Sequence, residues 1–386
     1  MKYIKSPFIL IGLSEFFAKA ISWLSLAIIP FFAKPEVYGE IVLYYSIILF
    51  FIPLYLFGQD RLILKNQPDT EVKNSLYFSS LILLITIVFL YYSDFIFVGV
   101  AGFFLALNKI LLTYLRANNN FGNYSFNRVL YSILRFILVV FVVIYFYSLT
   151  NYLLAEMLAA LIMSLGLFYI VFKNKEKNYI NLYVRFKHGL PLMLHGVSLF
   201  GVALIDRFFL EFYTNFSIVG NYSFIYIFAS GLVFLYSIVT ILKEKEIYKS
   251  ENDIVLVSRS KRSLILMVLI GVFGSIGSIL LYVLINTFNL VNGYDYLIWE
   301  LFVLIVAHLF LPFYLISNFI IIQKNRSNLL LICSVFSLLI NVLLNYFLIP
   351  KFGLQGAVWA TFIANLILAI ISSGIVFNLL KDSRRF

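Results

Sequence analysis

The stretch Pro7-Phe-Ile-Leu-Ile-Gly-Leu-Ser-Glu15-Phe-Phe-Ala-Lys19-Ala-Ile-Ser22, which continues as an apolar run to Phe32, decides how the chain is read. About 20 helical residues rising 1.5 Å each cover the hydrocarbon core of a bilayer, so the run is long enough to cross one. Yet it carries Glu15 and Lys19 one helical turn apart, with Ser22 on the same face. Lys19 lies roughly 18 Å along the helix axis from Pro7, too deep for its stem to reach either interface comfortably. A charge at that depth needs a partner or a water-filled cavity and marks a candidate functional site.

The stretch also recurs. Pro7-Phe-Ile-Leu10-Ile-Gly12-Leu-Ser14-Glu-Phe16 aligns with Pro191-Leu-Met-Leu194-His-Gly196-Val-Ser198-Leu-Phe200, sharing Pro, Leu, Gly, Ser and Phe at the same spacing. A second echo, Val37-Tyr-Gly39 with Ile218-Val-Gly220, follows at nearly the same offset. Two such matches in one order point to two homologous halves, a plan common among transporters.

Composition sets the class. The chain is 62% hydrophobic and 12% charged, about half the charge of a soluble domain, so it is read as an integral membrane protein. The single cysteine, Cys333, excludes an internal disulfide and a cysteine-based metal site. The basic N-terminus is not read as a signal peptide, because the following run is too long, holds Glu15 and Lys19, and lacks a small-x-small cleavage site. A net charge of +11 invites nucleic acid as a partner, but its distribution argues for membrane topology instead.

Hydropathy and breakers give twelve spans, over 7–32, 38–58, 75–92, 95–115, 127–147, 150–172, 189–212, 218–242, 262–286, 297–321, 328–349 and 354–380. With the N-terminus inside, most of the 29 lysines and arginines fall on inner segments, a few lie within spans, and only Lys34 and Lys351 fall outside. The positive-inside rule then places both termini in the cytoplasm. The expected plan is all-α: an N-terminal six-helix lobe over 1–172, a basic cytoplasmic linker over 173–188, and a C-terminal six-helix lobe over 189–386. The inner stretch from Lys243 to Lys261 is expected to form an amphipathic surface helix.

Four cations, Lys19, Lys109, Arg135 and Arg207, fall within spans. Polar stripes at helical spacing accompany them: Lys109, Thr113 and Arg116; Arg128, Ser132 and Arg135; His195, Ser198 and Asp206; Ser334, Ser337, Asn341 and Asn345; Thr361, Asn365 and Ser372. Each has a plainer reading. Glu15 and Lys19 form a neutral pair that aids packing, Lys109 and Arg135 snorkel, Arg207 and Glu300 anchor at an interface, His195 and His308 are packed, and the Asn stripes are interhelical glue. Gathered round one lumen, the four cations make an anion-attracting field suited to a diphosphate. Lys19, Lys109, Arg135, Arg207, Asn341 and Asn345 are therefore the candidate substrate-binding residues. Glu15, Glu156, Asp206, Glu300, His195 and His308 are candidates for charge balance or for taking up a coupling ion. No metal or cofactor motif and no nucleotide-binding loop is seen.

Span eleven and its exit read Asn341-Val-Leu-Leu-Asn345-Tyr-Phe-Leu-Ile-Pro350-Lys-Phe-Gly353-Leu-Gln-Gly356-Ala357-Val-Trp-Ala360-Thr361. This resembles a motif of the polysaccharide-exporting branch of the multidrug/oligosaccharidyl-lipid/polysaccharide exporter superfamily. Gly189-Leu-Pro191, Asp206-Arg207-Phe-Phe-Leu and Val219-Gly220-Asn-Tyr222-Ser223 resemble the seventh and eighth helices of the same branch. Physically, Pro350 is expected to end the helix, Gly353 to allow a tight turn, and Gly356, Ala357 and Ala360 to let the last span start close to its neighbour.

The resemblance implies a flippase for an undecaprenyl-diphosphate-linked oligosaccharide, an O-antigen or capsule repeat unit. It implies two lobes around a central cavity that opens alternately to either side of the bacterial inner membrane. Membrane lipids, a coupling ion (sodium or proton) and association with polysaccharide polymerase machinery are the implied partners. A drug/cation antiporter of the same superfamily is the rival within transport, and would want an acidic cavity. A membrane polysaccharide polymerase or ligase is the rival of another class. It needs a sizeable outer loop, and no outer loop here is long enough, so the chain is not read as an enzyme.

Overall fold

The computed structural model describes residues 7–65, 67–90, 95–173, 182–324, 326 and 328–382. These residues are helical almost throughout and contain no strand. The helices are α1 (Pro7–Ala27), α2 (Pro35–Leu56), the short α3 (Gln59–Lys65), α4 (Pro68–Leu90), α5 (Ile96–Ala117), α6 (Phe121–Tyr145) and α7 (Leu149–Lys173). They continue as α8 (Leu182–Tyr213), α9 (Phe216–Tyr248), α10 (Asp253–Thr287), α11 (Ile298–Leu309), α12 (Leu311–Gln323), α13 (Asn328–Phe352) and α14 (Leu354–Asp382). Among the described residues, twelve spans are long and apolar enough to cross a membrane, with α11 and α12 making one of them together. The chain is a multi-pass membrane protein.

The helices outrun the expected spans because hydropathy marks where the bilayer ends, and a helix need not stop there. Pro68 opens α4, where its missing N–H costs nothing, and Asp69 and Glu71 in the first turn suit the helix dipole. Asn252 caps α10, its Oδ1 accepting from the Val255 amide at 2.9 Å. α9 runs to Tyr248 and α10 starts at Asp253, so the surface helix expected over Lys243 to Lys261 is instead a tight helical hairpin. Of the expected linker 173–188, residues 174–181 lie outside the described residues, and the part from Leu182 is already α8.

Prolines behave unevenly. Pro312 sits at the start of α12 and accompanies a break at Phe310 that divides the tenth span. Pro350 does not end α13. The helix runs on to Phe352, and the stop is made by Gly353 at φ +53°, whose amide donates to the Ile349 carbonyl at 2.8 Å. So near a helix end, the hydrogen bond that a proline forfeits matters little. Gly356 then lets α14 begin against the end of α13, since a Cβ there would meet the Leu348 carbonyl oxygen at 2.5 Å.

Contacts divide the chain into two units. One takes the residues up to Phe32 and Ile41–Val197; the other takes Ala33–Glu40 and the residues from Ser198 onward. In the first unit, α1 lies along α6, α7 packs on α5 and α6, and α3 packs on α4 and α5. Tyr55, Ile63, Val72, Ala106, Leu107 and Ile110 are fully buried in its core. Buried Arg185, in the first turn of α8, donates to Gln59 of α3 and reaches Glu71 of α4 at 2.5 Å. In the second unit, α11, α12 and α13 all pack on α14, and α9 packs on α10 and α11.

The second unit also explains the sequence echo at Gly39 and Gly220. A Cβ on Gly39 would lie 2.0 Å from the Phe216 carbonyl oxygen and 2.8 Å from the Gly220 nitrogen. One on Gly220 would lie 1.9 Å from the Pro35 carbonyl oxygen. The opening turns of α2 and α9 thus meet backbone to backbone at corresponding positions of the two sequence halves, and only glycine fits. Gly39→Ala and Gly220→Ala should each sharply reduce the yield of monodisperse protein in detergent, as followed by size-exclusion chromatography. Gly122→Ala, where a Cβ meets nothing within 4 Å, should leave that yield unchanged.

Candidate functional site

The polar stripe of α6 organises the first unit. Tyr124, Arg128, Tyr131 and Arg135 follow one another at alternate spacings of about one turn and share the helix face turned to α1 and α5. Arg135 is 1% exposed, a burial at which a guanidinium must be fully paired. Its Nε reaches Glu156 Oε2 of α7 at 2.7 Å and its second terminal nitrogen reaches Oε1 at 2.7 Å, a bidentate fork. The remaining nitrogen donates to Ser25 Oγ at 2.6 Å and to the Ser22 carbonyl at 3.3 Å, both on α1. Tyr152 donates to Glu156 at 3.0 Å, and the guanidinium lies 4.6 Å from the ring centre of Tyr45 on α2. One side chain thereby ties α6 to α1, α2 and α7.

Two turns nearer the start of α6 lies a second cluster with a spare charge. Buried Glu15 accepts from the Tyr124 hydroxyl and from Arg128 Nε at 3.0 Å, and Lys19 Nζ stands 3.6 Å away. One carboxylate therefore faces two cations. Above it opens a cavity of about 420 Å³, enclosed within the first unit by α1, α2, α3, α5 and α6. Its lining includes Lys109, Arg116, Arg128 and Arg135, with Glu15 the one acidic lining residue among the described residues. Asn108, Thr113, Tyr45, Tyr124 and Tyr131 supply neutral polar wall. Lys109 is half-exposed and lies 3.7 Å from Asp60 of α3, an exposed pairing that screens it only weakly.

The candidate residues separate into groups. Glu15, Lys109 and Arg135 come together around this cavity, whereas Lys19 flanks Glu15 and is not among the lining residues. Glu156 lies behind Arg135 as its counter-charge. In the second unit, Asp206 accepts from the Arg207 amide at 2.9 Å, Arg207 NH1 at 3.3 Å, Thr361 Oγ at 3.1 Å and the Tyr222 hydroxyl. Arg207 also lies 4.4 Å from the Tyr226 ring centre, so this pair is enclosed in helix packing. His308 Nδ1 sits 2.7 Å from the Leu304 carbonyl, with its ring edge-on to Tyr226. Glu300 accepts from Gln355 at 3.0 Å. Asn345 donates to Asn341 at 2.6 Å, both fully buried on α13. His195 is buried in the first unit's part of α8.

Sequence reasoning passed over Arg128, Arg116, Tyr124 and Asn108 as site residues. Arg128 shows its signal in the α6 stripe, but its place at the very start of the fifth expected span is that of a charge at the membrane boundary. The interhelical bond that draws it inward, to Glu15 more than a hundred positions away, has no local signature.

No protein-family model and no curated protein sequence matches the chain. Solved structures do. An inward-facing multidrug resistance MATE family transporter of the MOP superfamily superposes with a TM-score of 0.74 at 17% identity, covering 95% of each chain. The lipid II flippase MurJ in an inward closed conformation gives 0.71 at 16%, over 94% of this chain and 86% of its own. A MOP superfamily transporter from Pyrococcus furiosus, whose binding pocket of reverse polarity suggests a different function, gives 0.68 at 17%, over 97% and 95%. These neighbours are transporters and a flippase, not enzymes. The chain has the fold shared by transporters of the MOP superfamily.

The Arg135 pairing makes a stability prediction. Glu156→Gln leaves a buried guanidinium without its counter-charge, and should cost about 3–5 kcal/mol, read as a lowered thermal unfolding midpoint in detergent. The double change Arg135→Met with Glu156→Leu should recover most of that loss.

Proposed function

We propose that the protein turns over an undecaprenyl-diphosphate-linked oligosaccharide, an O-antigen or capsule repeat unit, from the inner to the outer leaflet of a bacterial cytoplasmic membrane. It does so by ion-coupled alternating access, with both termini in the cytoplasm. The observation that carries this reading is the sign of the cavity: Lys109, Arg116, Arg128 and Arg135 against Glu15. An unaided flip drags a diphosphate and hydrated sugars through hydrocarbon, which far exceeds thermal energy. A basic, water-accessible groove takes the headgroup while the lipid tail stays among acyl chains, and movement of one lobe against the other then exposes it to the far side.

Within the groove the arginines divide the work. Arg135 is spent on Glu156 and Ser25, whereas Arg128 commits only Nε to Glu15, and Glu15 also answers Lys19. A phosphate arriving beside Arg128 therefore meets a guanidinium that needs little rearrangement to bind it. Glu15 is the group whose charge state resets the site, as proton uptake there neutralises the carboxylate and releases Arg128 and Lys19 toward the anion. The drug/cation antiporter reading has the fold likeness to MATE transporters in its favour. A cationic drug, however, would meet like charge in this cavity.

Headgroup translocation measured in proteoliposomes, with and without sodium and proton gradients, tests both readings. Arg128→Ala should lower translocation at least tenfold while the protein remains folded and inserted. Lys109→Ala, at a half-exposed side chain outside the buried ion pair, should lower it as well. Unchanged translocation in Arg128→Ala, or export of cationic dyes by the wild-type protein with no lipid transfer, would overturn the flippase reading.

A further inference from the structure

The same cavity contains a buried polar group that the charged cluster does not use. Asn108 lies on the α5 face that lines the cavity, one residue before Lys109 and one turn before Leu112. Its side chain is 3% exposed, yet its Oδ1 has no hydrogen-bond partner. Buried amides are nearly always satisfied, and an unpaired one beside a cavity carries a desolvation penalty that a ligand reaching it can relieve.

The chemistry of that ligand follows from the surroundings. A sodium ion would suit an amide oxygen, but Lys109, Arg116, Arg128 and Arg135 line the same space and oppose a further cation. A second anion would not suit it either, because a carbonyl oxygen only accepts. A neutral hydroxyl does suit it, since a hydroxyl donates to the open oxygen without bringing a charge. Position agrees. Asn108 lies eight residues, about 12 Å, along α5 from Arg116, so one ligand can offer an anion to the arginines at one end and a hydroxyl to the amide further along. Tyr45 and Tyr131 line the same cavity and offer ring surface to the apolar face of a pyranose.

We infer that Asn108 is a specificity residue that reads a hydroxyl of the sugar joined directly to the diphosphate, so that the cavity takes a glycosyl diphosphate in preference to a bare one. The inference rests on the lipid-linked oligosaccharide reading and adds to it the point at which a loaded carrier is told from an empty one. A site that bonds a substrate hydroxyl discriminates strongly against the analogue lacking it, because the buried polar group is then left open. Empty carrier lipid, the species a flippase for loaded carrier must not return uselessly, would be rejected on that ground.

The test is a binding titration of the full-length protein in lipid nanodiscs. Its two probes are undecaprenyl diphosphate and undecaprenyl diphosphate bearing one N-acetylglucosamine. Wild type should bind the sugar-bearing lipid at least tenfold more tightly, and Asn108→Leu, which keeps the volume and removes the acceptor, should abolish the difference. Asn108→Ala removes the acceptor without adding an apolar branch and provides the same comparison if leucine unfolds the protein. Equal binding of the two lipids by wild type, or a preference that survives in the variants, would overturn the role of Asn108 alone. Wild-type protein that binds neither lipid would sink the flippase reading itself, and the inference with it.

Discussion

The fork between Arg135 and Glu156 is the constraint on which the first unit depends. A guanidinium at the depth of a lipid core has no water to fall back on, so every donor must find an acceptor from a neighbouring helix. Here the acceptors come from α7 and α1, and the flat face rests on Tyr45 of α2. Once those bonds fix the rotation of α6 about its axis, the rest of its stripe has no freedom: Tyr131, Arg128 and Tyr124 must face the same way. Glu15 meets Arg128 because Arg135 has already decided which side of α6 looks inward. Structure and chemistry are thus separated along one helix, with a saturated arginine holding the frame and a partly committed one facing the space it encloses.

Much of this was legible in the sequence, for identifiable reasons. Spans follow from hydropathy because the bilayer imposes one length on all of them. The echo of Gly39 in Gly220 was visible because a backbone contact with no room for a Cβ leaves only one residue at each position. The Gly353 turn was equally legible, since a positive φ nearly dictates its residue. The polar stripes of α5 and α6 were legible as faces, because helical periodicity is a local property.

What the sequence withheld is whatever depends on partners distant in the chain. Lys19 and Arg128 looked like a deep charge and a boundary charge, yet both answer Glu15, and Arg128 is the one that reaches the cavity. Arg207, expected with the other three cations around one lumen, is held by Asp206 beside it, with Tyr222, Thr361 and Tyr226 around the pair in the second unit. Helix ends failed for another reason. Lys, Glu and Asn continue a helix outside the membrane as readily as Leu does within it, so α9 and α10 run well past their apolar stretches. Pro350 misled because a proline breaks a helix by removing a bond to the preceding turn and crowding its carbonyl, and a helix in its last turn tolerates that loss.

Drug transporters and a lipid flippase, proteins with different cargoes, superpose on this chain about equally well. What separates such cargoes is the charge presented to them in a space of low dielectric, where one unpaired cation outweighs many neutral contacts. In the first unit, Glu156 cancels Arg135, and Asp60 screens Lys109 only loosely; Glu15 must serve both Lys19 and Arg128. The residual charge is therefore positive and sits where a single carboxylate can modulate it. An empty site of this kind repels itself, and an anion relieves that repulsion on entry. Charge taken up at Glu15 raises the demand for an anion, and charge released from it lowers that demand. The charge imbalance of the cavity is thus set by one carboxylate, and whatever changes that carboxylate's charge changes how strongly the cavity favours an anion.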